Sequence, residues 1–362
     1  MKIRRLLICL LVMMLVGCSK ETDDGIKTTV ISKGDTSSYD VIVPIDMNES
    51  REYHEQHQNS DEDFKNLGNR LMEISKEYFP TSTYVMGEGK VITYDDLMLL
   101  IKCESEMNQI GLNPNRNEEI PSGSENVKIL NPILVSDVIE QDYYKKVDGE
   151  YALAGMSVAI FMDPFQTAST GSTTYTTTLS DDIMFEYGST MARKLERYLR
   201  TKDESKRIPI LITLYVKGEV GSYLPGYMLG KAYFVDRSPS FERLDETWAL
   251  LPSSAAQKLD LDNYNQFANF KSALSTFIVD DVGIVGIGYY ENQVLQELNI
   301  TVKYSPKTYV EYMTIVNYCS QLLNNFVNDT FDITVEFENH SETTAIVLKN
   351  SRNKDIQIVY LN

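Results

Sequence analysis

An α+β fold of two strand-helix-strand-strand units with mostly antiparallel sheets, preceded by a helical N-terminal segment, is what this sequence predicts. Three observations lead to it. The helical stretches carry apolar residues at steps of three and four. The strands are short, rich in β-branched residues and arranged as hairpins instead of long βαβ runs. The order of elements between residues 151 and 254 recurs between 255 and 362.

In chain order, residues 1–17 read as a signal segment, 18–38 as a flexible polar tether, and 39–150 as mainly helical. Structure begins with a short strand at Tyr39 to Pro44. A helix follows from Ser60, with Asp61, Glu62 and Asp63 at its start and Phe64, Leu67, Leu71, Ile74 and Tyr78 along one face, until Pro80 ends it. A weaker helical segment runs from Tyr94 to Met107, and residues 113–127, with two prolines, form an exposed loop. Asn131 to Tyr144 closes this part with Ile133, Leu134, Val138 and Ile139.

The first unit, 151–254, opens with a strand at Gly155 to Met162. A Thr/Ser-rich loop from Thr167 to Ser180 leads into a helix from Asp181 to Leu199, whose apolar face is Met184, Tyr187, Met191, Leu195 and Tyr198. Strands at Ile208 to Val216 and Tyr227 to Val235 complete it. The second unit, 255–362, is preceded by a helix at Leu261 to Phe277 and an extra strand at Val282 to Tyr290. It then repeats the order: strand Leu298 to Tyr304, a helix from Pro306 with Met313, Val316, Cys319 and Leu323 on one face, and strands from Phe331, Thr344 and Ile356.

The N-terminus sets the compartment. Lys2, Arg4 and Arg5 precede an apolar core from Leu6 to Val16, which is a secretory signal pattern. It is shorter than the about 20 apolar residues a permanent membrane span needs. Leu15-Val16-Gly17-Cys18 resembles the bacterial lipobox. That resemblance implies transfer of diacylglycerol to the Cys18 thiol, cleavage between Gly17 and Cys18, and a mature chain that starts at lipidated Cys18. The expected partner is therefore a membrane, met through the N-terminal lipid on the extracellular face.

Composition supports an exported globular body. The chain has 362 residues, 24% of them charged and 43% apolar, enough for a sizeable core. Its formal charge is -18, and loss of the three basic residues of the signal takes it to -21. Such a surface repels nucleic acid and anionic headgroups, so nucleic acid is excluded as a partner and anchoring falls to acyl chains. Beyond Cys9 and Cys18 only Cys103 and Cys319 remain. Their pairing is left open by sequence, although the apolar face that carries Cys319 favours a buried thiol.

Catalytic signatures are thin. His54-Glu55-Gln56-His57 spaces its histidines three apart instead of the four of a zinc-protease helix, so a solvated polar segment is expected there, with no metal. Gly283-Ile284-Val285-Gly286-Ile287-Gly288 has the wrong order for a dinucleotide loop and reads as a strand closely packed at its glycines. Neither a nucleophile elbow nor a phosphate loop occurs, and no cofactor is expected. Of the acid pairs Asp95-Asp96, Asp181-Asp182 and Asp280-Asp281, two stand where a helix begins, and capping explains them without a ligand. A glycosidase with carboxylates from distant segments stays open. Most of the twenty-three tyrosines sit at strand or helix-face positions and belong to packing.

Four short segments carry a family resemblance: Gly111-Leu112-Asn113-Pro114, Val138-Ile139-Glu140-Gln141-Asp142-Tyr143-Tyr144, Ile208-Pro209-Ile210 and Leu250-Leu251-Pro252-Ser253-Ser254. In this order, between a lipobox and a strand-rich C-terminus, they resemble the CamS family of Gram-positive lipoproteins, the sex pheromone precursors. The resemblance covers roughly residues 40–362. It implies that the tail of the signal, Leu11 to Gly17, is released as a pheromone-like peptide, and it transfers no catalytic residues. The 250–254 segment is expected to connect the two units, with Pro252 fixing a turn.

The function expected from these readings is a membrane-anchored surface lipoprotein whose body is a non-enzymatic binding or scaffolding module for a cell-envelope or peptide ligand. The alternatives are an envelope hydrolase with dispersed carboxylates and a solute-binding lipoprotein. A filled, apolar junction between the units favours a scaffold, and an open polar cleft with converging acids reopens the hydrolase reading.

Overall fold

A computed structural model describes residues 29–34, 37–43, 50, 53–54, 61–116, 118–122, 128–170, 173–235, 239–278, 281–327, 330–340 and 342–361. Gly17, Cys18 and the whole signal segment lie outside them. The first part of the chain supplies β1 (Thr29–Ile31), β2 (Asp40–Val43), α1 (Asp61–Ser75), β3 (Val85–Glu88), α2 (Tyr94–Leu100), β4 (Glu119–Pro121), β5 (Lys128–Leu130) and β6 (Val135–Val147). Next come β7 (Glu150–Met162), β8 (Phe165–Thr170), β9 (Thr173–Thr178), α3 (Asp181–Leu199), β10 (Ile210–Val216), β11 (Tyr227–Phe234) and β12 (Glu242–Arg243). The rest forms β13 (Glu246–Leu251), α4 (Ser254–Leu259), α5 (Leu261–Phe277), β14 (Gly283–Glu291), β15 (Val294–Lys303), α6 (Tyr309–Leu323), β16 (Asp332–Asn339), β17 (Glu342–Lys349) and β18 (Ile356–Tyr360).

The expected α+β class holds. One sheet has the order β1-β2-β3-β6-β7-β10-β11-β12, a second β13-β14-β15-β16-β17-β18, and a small third β4-β5-β8-β9. The duplication is present in the pairing itself. In the first sheet β7 pairs antiparallel with β6 and parallel with β10 across the α3 crossover, and β10 then turns back into β11. In the second, β15 pairs antiparallel with β14 and parallel with β16 across the α6 crossover, and β16 turns back into β17.

The two sheets are covered differently. α3 lays Met184, Ala192, Leu195 and Leu199 on one face of the first sheet, against Val158, Ile160, Ile210 and Ile212. α1 lays Leu67 and Leu71 on the other, against Ala159, Phe161, Tyr215 and Met228. Covered on both sides, β7 from Met156 onward and all of β10 are buried, which explains their unbroken apolar runs. The second sheet is lined by α5 and α6 on one face only, where Phe267, Phe270, Val316 and Cys319 meet Ile300, Val335 and Val347. Its strands alternate instead, and Val285, Leu348 and Val359 on the other face stay exposed.

Several expectations need correction. Residues 135–147, inside the segment read as mainly helical, form β6, the long partner of β7. An Asp148-Gly149 turn, with both residues at positive φ, closes that hairpin. The Thr/Ser-rich stretch read as a loop is the hairpin β8–β9, because its alternating β-branched residues pair with one another and Ala168 is buried beside Ile129. β15 starts at Val294, four residues before the expected strand, because Asn292 and Gln293 take left-handed φ and make a two-residue turn. The helix expected to run to Pro80 ends at Ser75, whose hydroxyl donates back to the Leu71 carbonyl. Finally, 250–254 does not join the sheets: β13 already belongs to the second, and the segment turns β13 into α4 through a cis Leu251–Pro252 bond and a Ser253 cap on the Ala256 N–H.

Candidate functional site

Three polar constellations are built into this frame, and each ties distant elements together. The first is the Gly111-Leu112-Asn113-Pro114 turn. Leu112 and Asn113 are both buried. The Asn113 amide donates to the carbonyls of Ile101 (2.6 Å) and Val135 (2.7 Å), while its oxygen accepts from the N–H groups of Leu134 (2.7 Å) and Val135 (2.8 Å). One side chain thus satisfies four backbone groups between α2 and the start of β6. Gly111 is required beside it, since a Cβ there would stand 2.6 Å from the Lys102 carbonyl oxygen. Its own carbonyl accepts from Lys194 Nζ of α3 at 2.7 Å.

The second lies on β6, within the Val138–Tyr144 segment. Glu140 and Asp142, two residues apart, project to the same side of the strand. Glu140 accepts from the Val91 N–H (3.1 Å) and the Ile92 N–H (2.8 Å), and so fixes the approach to α2. Asp142 is fully buried and accepts from the Tyr144 hydroxyl at 3.1 Å. Burial pushes both carboxyls up, and the neighbouring Glu140 charge drives Asp142 well above the ordinary carboxylate range. A proton held on Asp142 and shared with Glu140 satisfies both acids. The pair is structural in setting: Asp142 is fully buried and the half-buried Glu140 grips the backbone N–H groups of Val91 and Ile92.

The third is the junction between the two large sheets. Arg70 of α1 donates to Glu246 Oε1 of β13 at 2.5 Å, and Glu246 Oε2 accepts from the Met228 N–H of β11 at 3.0 Å. Only 15% of the Arg70 side chain and 2% of that of Glu246 are exposed. The guanidinium lies 4.8 Å above the Tyr289 ring, which packs 4.8 Å from Trp248. Burial disfavours the arginine charge, but Glu246 outweighs it and holds the guanidinium pKa up. Glu291 stands 3.8 Å from the same guanidinium, so among the described residues the junction centres on one nearly buried arginine between two acids, beside two aromatic rings, and is not the apolar filling that would favour a scaffold.

The other residues singled out from sequence fall as follows. His54 is not solvated: its Nδ1 lies 2.7 Å from Asp137 Oδ2, because the buried Asp137 carboxylate at the start of β6 needs a partner. Glu55 and His57 lie outside the described residues. Among the described residues, no three His, Cys, Asp or Glu side chains gather as a metal site. Asp96 closes a capping box with Thr93 at α2, but it also accepts from Tyr198 and, at 2.5 Å, from Lys202. Burial opposes its charge, yet these hydrogen bonds outweigh burial and draw its carboxyl down to about 2. Asp181 accepts from Tyr227 at 2.7 Å and Asp182 pairs with Arg243 at 2.6 Å at the start of α3; Asp280 is outside the described residues. Gly286 faces the Phe267 ring, where a Cβ would come within 2.8 Å, as the close-packed strand reading requires. Cys103 and Cys319 are both free thiols, and burial pushes Cys319 up. No described helix is long and apolar enough to cross a membrane.

Sequence reasoning missed Asn113, Glu140, Asp142 and the Arg70–Glu246 pair as structural clamps. Two signals were available: the Asp148-Gly149 turn, which marks β6 as a hairpin strand, and the i, i+2 spacing of Glu140 and Asp142, which puts two acids on one side of it.

Comparison with known proteins agrees with this architecture. A sex pheromone precursor from Lactobacillus salivarius subsp. salivarius superposes with a TM-score of 0.80 at 21% identity, over 93% of this chain and 99% of that one. The C-terminal domain of the sex pheromone staph-cAM373 precursor from Staphylococcus aureus gives 0.68 at 21% identity, over 84% of this chain and 98% of that one. At these identities the likeness is one of fold. No curated protein matches the chain. The family model that describes the CamS sex pheromone cAM373 precursor matches residues 46–355, a span that holds all four quoted segments and all three clamps. With that span matched, the chain belongs to the CamS sex pheromone cAM373 precursor family.

Proposed function

We propose that this protein is a surface lipoprotein anchored in the membrane through diacylglycerol on Cys18, whose mature body is a non-enzymatic binding or scaffolding module. In this reading the signal is cut between Gly17 and Cys18, and the preceding stretch, Leu11 to Gly17, is released as a pheromone-like peptide. The observation that carries the reading is the family match over 46–355, joined to a basic n-region, an apolar core and Leu15-Val16-Gly17-Cys18 at the N-terminus. Anchoring by more than one acyl chain suits a body of this acidity, which gains nothing from an anionic membrane surface. The nearly buried Arg70–Glu246 pair that ties α1 to β13 suits a scaffold.

The test is direct. Cells grown with labelled palmitate should yield a labelled protein in the membrane fraction, and Cys18→Ser should abolish both the label and the membrane association. Mass spectrometry of the medium should detect the peptide spanning residues 11–17 only when cleavage occurs. An unlabelled wild-type chain would overturn the anchor, and turnover of cell-wall substrates lost on a single acid-to-amide change would overturn the non-enzymatic body.

A further inference from the structure

The sheet edges among the described residues are guarded in different ways. β1 and β4 hold three residues each, β4 ending on Pro121, and β12 holds two. β9 is a ribbon of threonines around Tyr175. β13 lies along the first sheet, where Glu246 takes the Met228 N–H. β18 has none of these devices. Its five residues, Ile356-Gln357-Ile358-Val359-Tyr360, carry neither charge nor proline, in a chain with a formal charge of -18. Such an edge is a template for another strand.

Its free backbone groups can be assigned. The Leu361 N–H donates to the Thr344 carbonyl at 2.8 Å, and along β17 Val359 stands opposite Ile346 and Gln357 opposite Leu348. Backbone groups point to alternate sides along a strand, so Gln357 and Val359, like Leu361, bond to β17. Ile356, Ile358 and Tyr360 therefore turn their N–H and C=O groups away from the sheet. Their side chains lie on the face covered by α6, each only partly buried against the core of the second unit. On the opposite face Val359 and Leu361 are each 43% exposed.

We infer that β18 pairs antiparallel with β18 of a second copy of this chain, about a two-fold axis at Ile358. In that register Ile358 exchanges N–H···O=C bonds with the partner's Ile358, and Ile356 does so with the partner's Tyr360 at each end, about six bonds in all. One symmetric contact thus satisfies every outward group of the edge and closes on itself. The helices fit the same axis. α6 lies over β17 and β18, with Tyr312 at 5.8 Å from the Tyr360 ring and its hydroxyl 2.6 Å from the Thr344 carbonyl. Strands stand about 4.8 Å apart, so the two α6 axes come about 10 Å apart across the two-fold, the separation at which helices pack. Tyr318 marks the side of α6 that faces α5, by stacking on Phe277. Tyr309, Met313 and Ser320 lie on the opposite side and carry no charge, and Tyr309 is 71% exposed. A foreign strand would pair with the edge and leave this side of α6 bare, whereas a second copy brings its own α6. Two bodies of this acidity repel elsewhere, so contact falls where the surface is uncharged. The inference goes beyond the proposed function and does not depend on the lipid anchor.

The test is sedimentation equilibrium of the full-length chain in a density-matched zwitterionic detergent, from about 1 μM to 1 mM. A monomer–dimer equilibrium is expected, with a dissociation constant of about 10–100 μM for so small an interface. Ile358→Pro removes the N–H at the axis, which β17 does not use, and should weaken the dimer at least about tenfold. Gln357→Lys, at an exposed position, lowers the negative charge of each copy and yet should weaken the dimer at least about threefold by guarding the edge. Thermal unfolding of that variant, measured where the chain is monomeric, should match the wild type. On dilution the amides of Ile356, Ile358 and Tyr360 should exchange faster, while those of Gln357 and Val359 hold. Cys18→Ser should leave the constant unchanged. A monomer throughout the range would overturn the inference. So would a dimer that Gln357→Lys leaves as tight, assembly beyond two copies, or dilution effects at Gln357 and Val359 instead.

Discussion

The two units share a pairing order and differ in how they are covered. β7 and β10 sit between α1 and α3, with side chains buried on both faces; β15, β16 and β17 sit under α5 and α6 and leave their other face open. The same topology therefore asks for two kinds of sequence. The doubly covered strands read as continuous apolar runs, Met156 to Met162 and Ile210 to Val216, whereas the singly covered ones alternate, as in Asp332-Ile333-Thr334-Val335-Glu336-Phe337. Polar groups divide the same way. The segment leading into and along β6 buries Asn113, Asp137 and Asp142, each tied to backbone or to a side chain, while between 255 and 362 the described buried polar residues are Asn263 and Lys349.

This contrast can be broken most sharply at adjacent positions of equivalent strands. In β10, Leu214→Ala and Tyr215→Ala face opposite covering helices and should each cost about 3–5 kcal/mol, measured by denaturant unfolding. In β16, Val335→Ala should cost about 2–3 kcal/mol, but its neighbour Thr334→Ala less than about 0.5 kcal/mol. Equal costs at Thr334 and Val335 would mean that something covers the open face. Asn113→Ala should cost about 3–4 kcal/mol by leaving four buried backbone groups without a partner, with the loss confined to the first sheet and α2. Hydrogen exchange should then rise at Leu134 and Val135 and not in β14–β17.

The junction is next in size. Glu246→Ala should cost about 3 kcal/mol by leaving the buried Arg70 charge only the more exposed Glu291 at 3.8 Å, and Arg70→Met in the same chain should recover part of it. Trp248, the single tryptophan, packs on Tyr289 beside this pair, so its fluorescence reports whether the two sheets separate before either unfolds.

Two carboxyls give opposite pH slopes in the part of the chain that precedes β7. Asp142 has its folded pKa raised by burial and by Glu140, so the folded state holds a proton that the unfolded chain releases. Its contribution is full below the ordinary carboxylate range and is lost as pH rises from that range through the raised folded value. Asp142→Asn should flatten stability on that side, since the amide donates permanently to Glu140. Asp96 has its folded pKa depressed to about 2, so its contribution is present above the ordinary range and disappears as pH falls toward about 2. Discounted for solvent screening, that is about 1 kcal/mol, and Asp96→Asn should remove it.

Much of the second unit was legible because its helices and strands follow the periods that a singly covered sheet imposes. α5 has the bounds the sequence predicts, Leu261–Phe277, and in the first unit the apolar steps of Met184, Tyr187, Met191, Leu195 and Tyr198 predict α3 at Asp181–Leu199. β6 was not, because Asp137, Glu140 and Asp142 interrupt its alternation while being held inside by partners far along the chain. A buried carboxylate looks like a surface residue until the group that satisfies it is known.

By itself the sequence determined the α+β class, the repeated order of elements, the close-packed Gly286 strand, and the family, through segments such as Gly111 to Pro114. Periodicity and local steric demands are written residue by residue, so they can be read without the fold. Only the tertiary structure decided that Asn113 is a four-way clamp and that Arg70 meets Glu246 at the junction of the two large sheets. Those facts depend on residues as far apart as 70 and 246, brought together by sheet pairing and not by spacing.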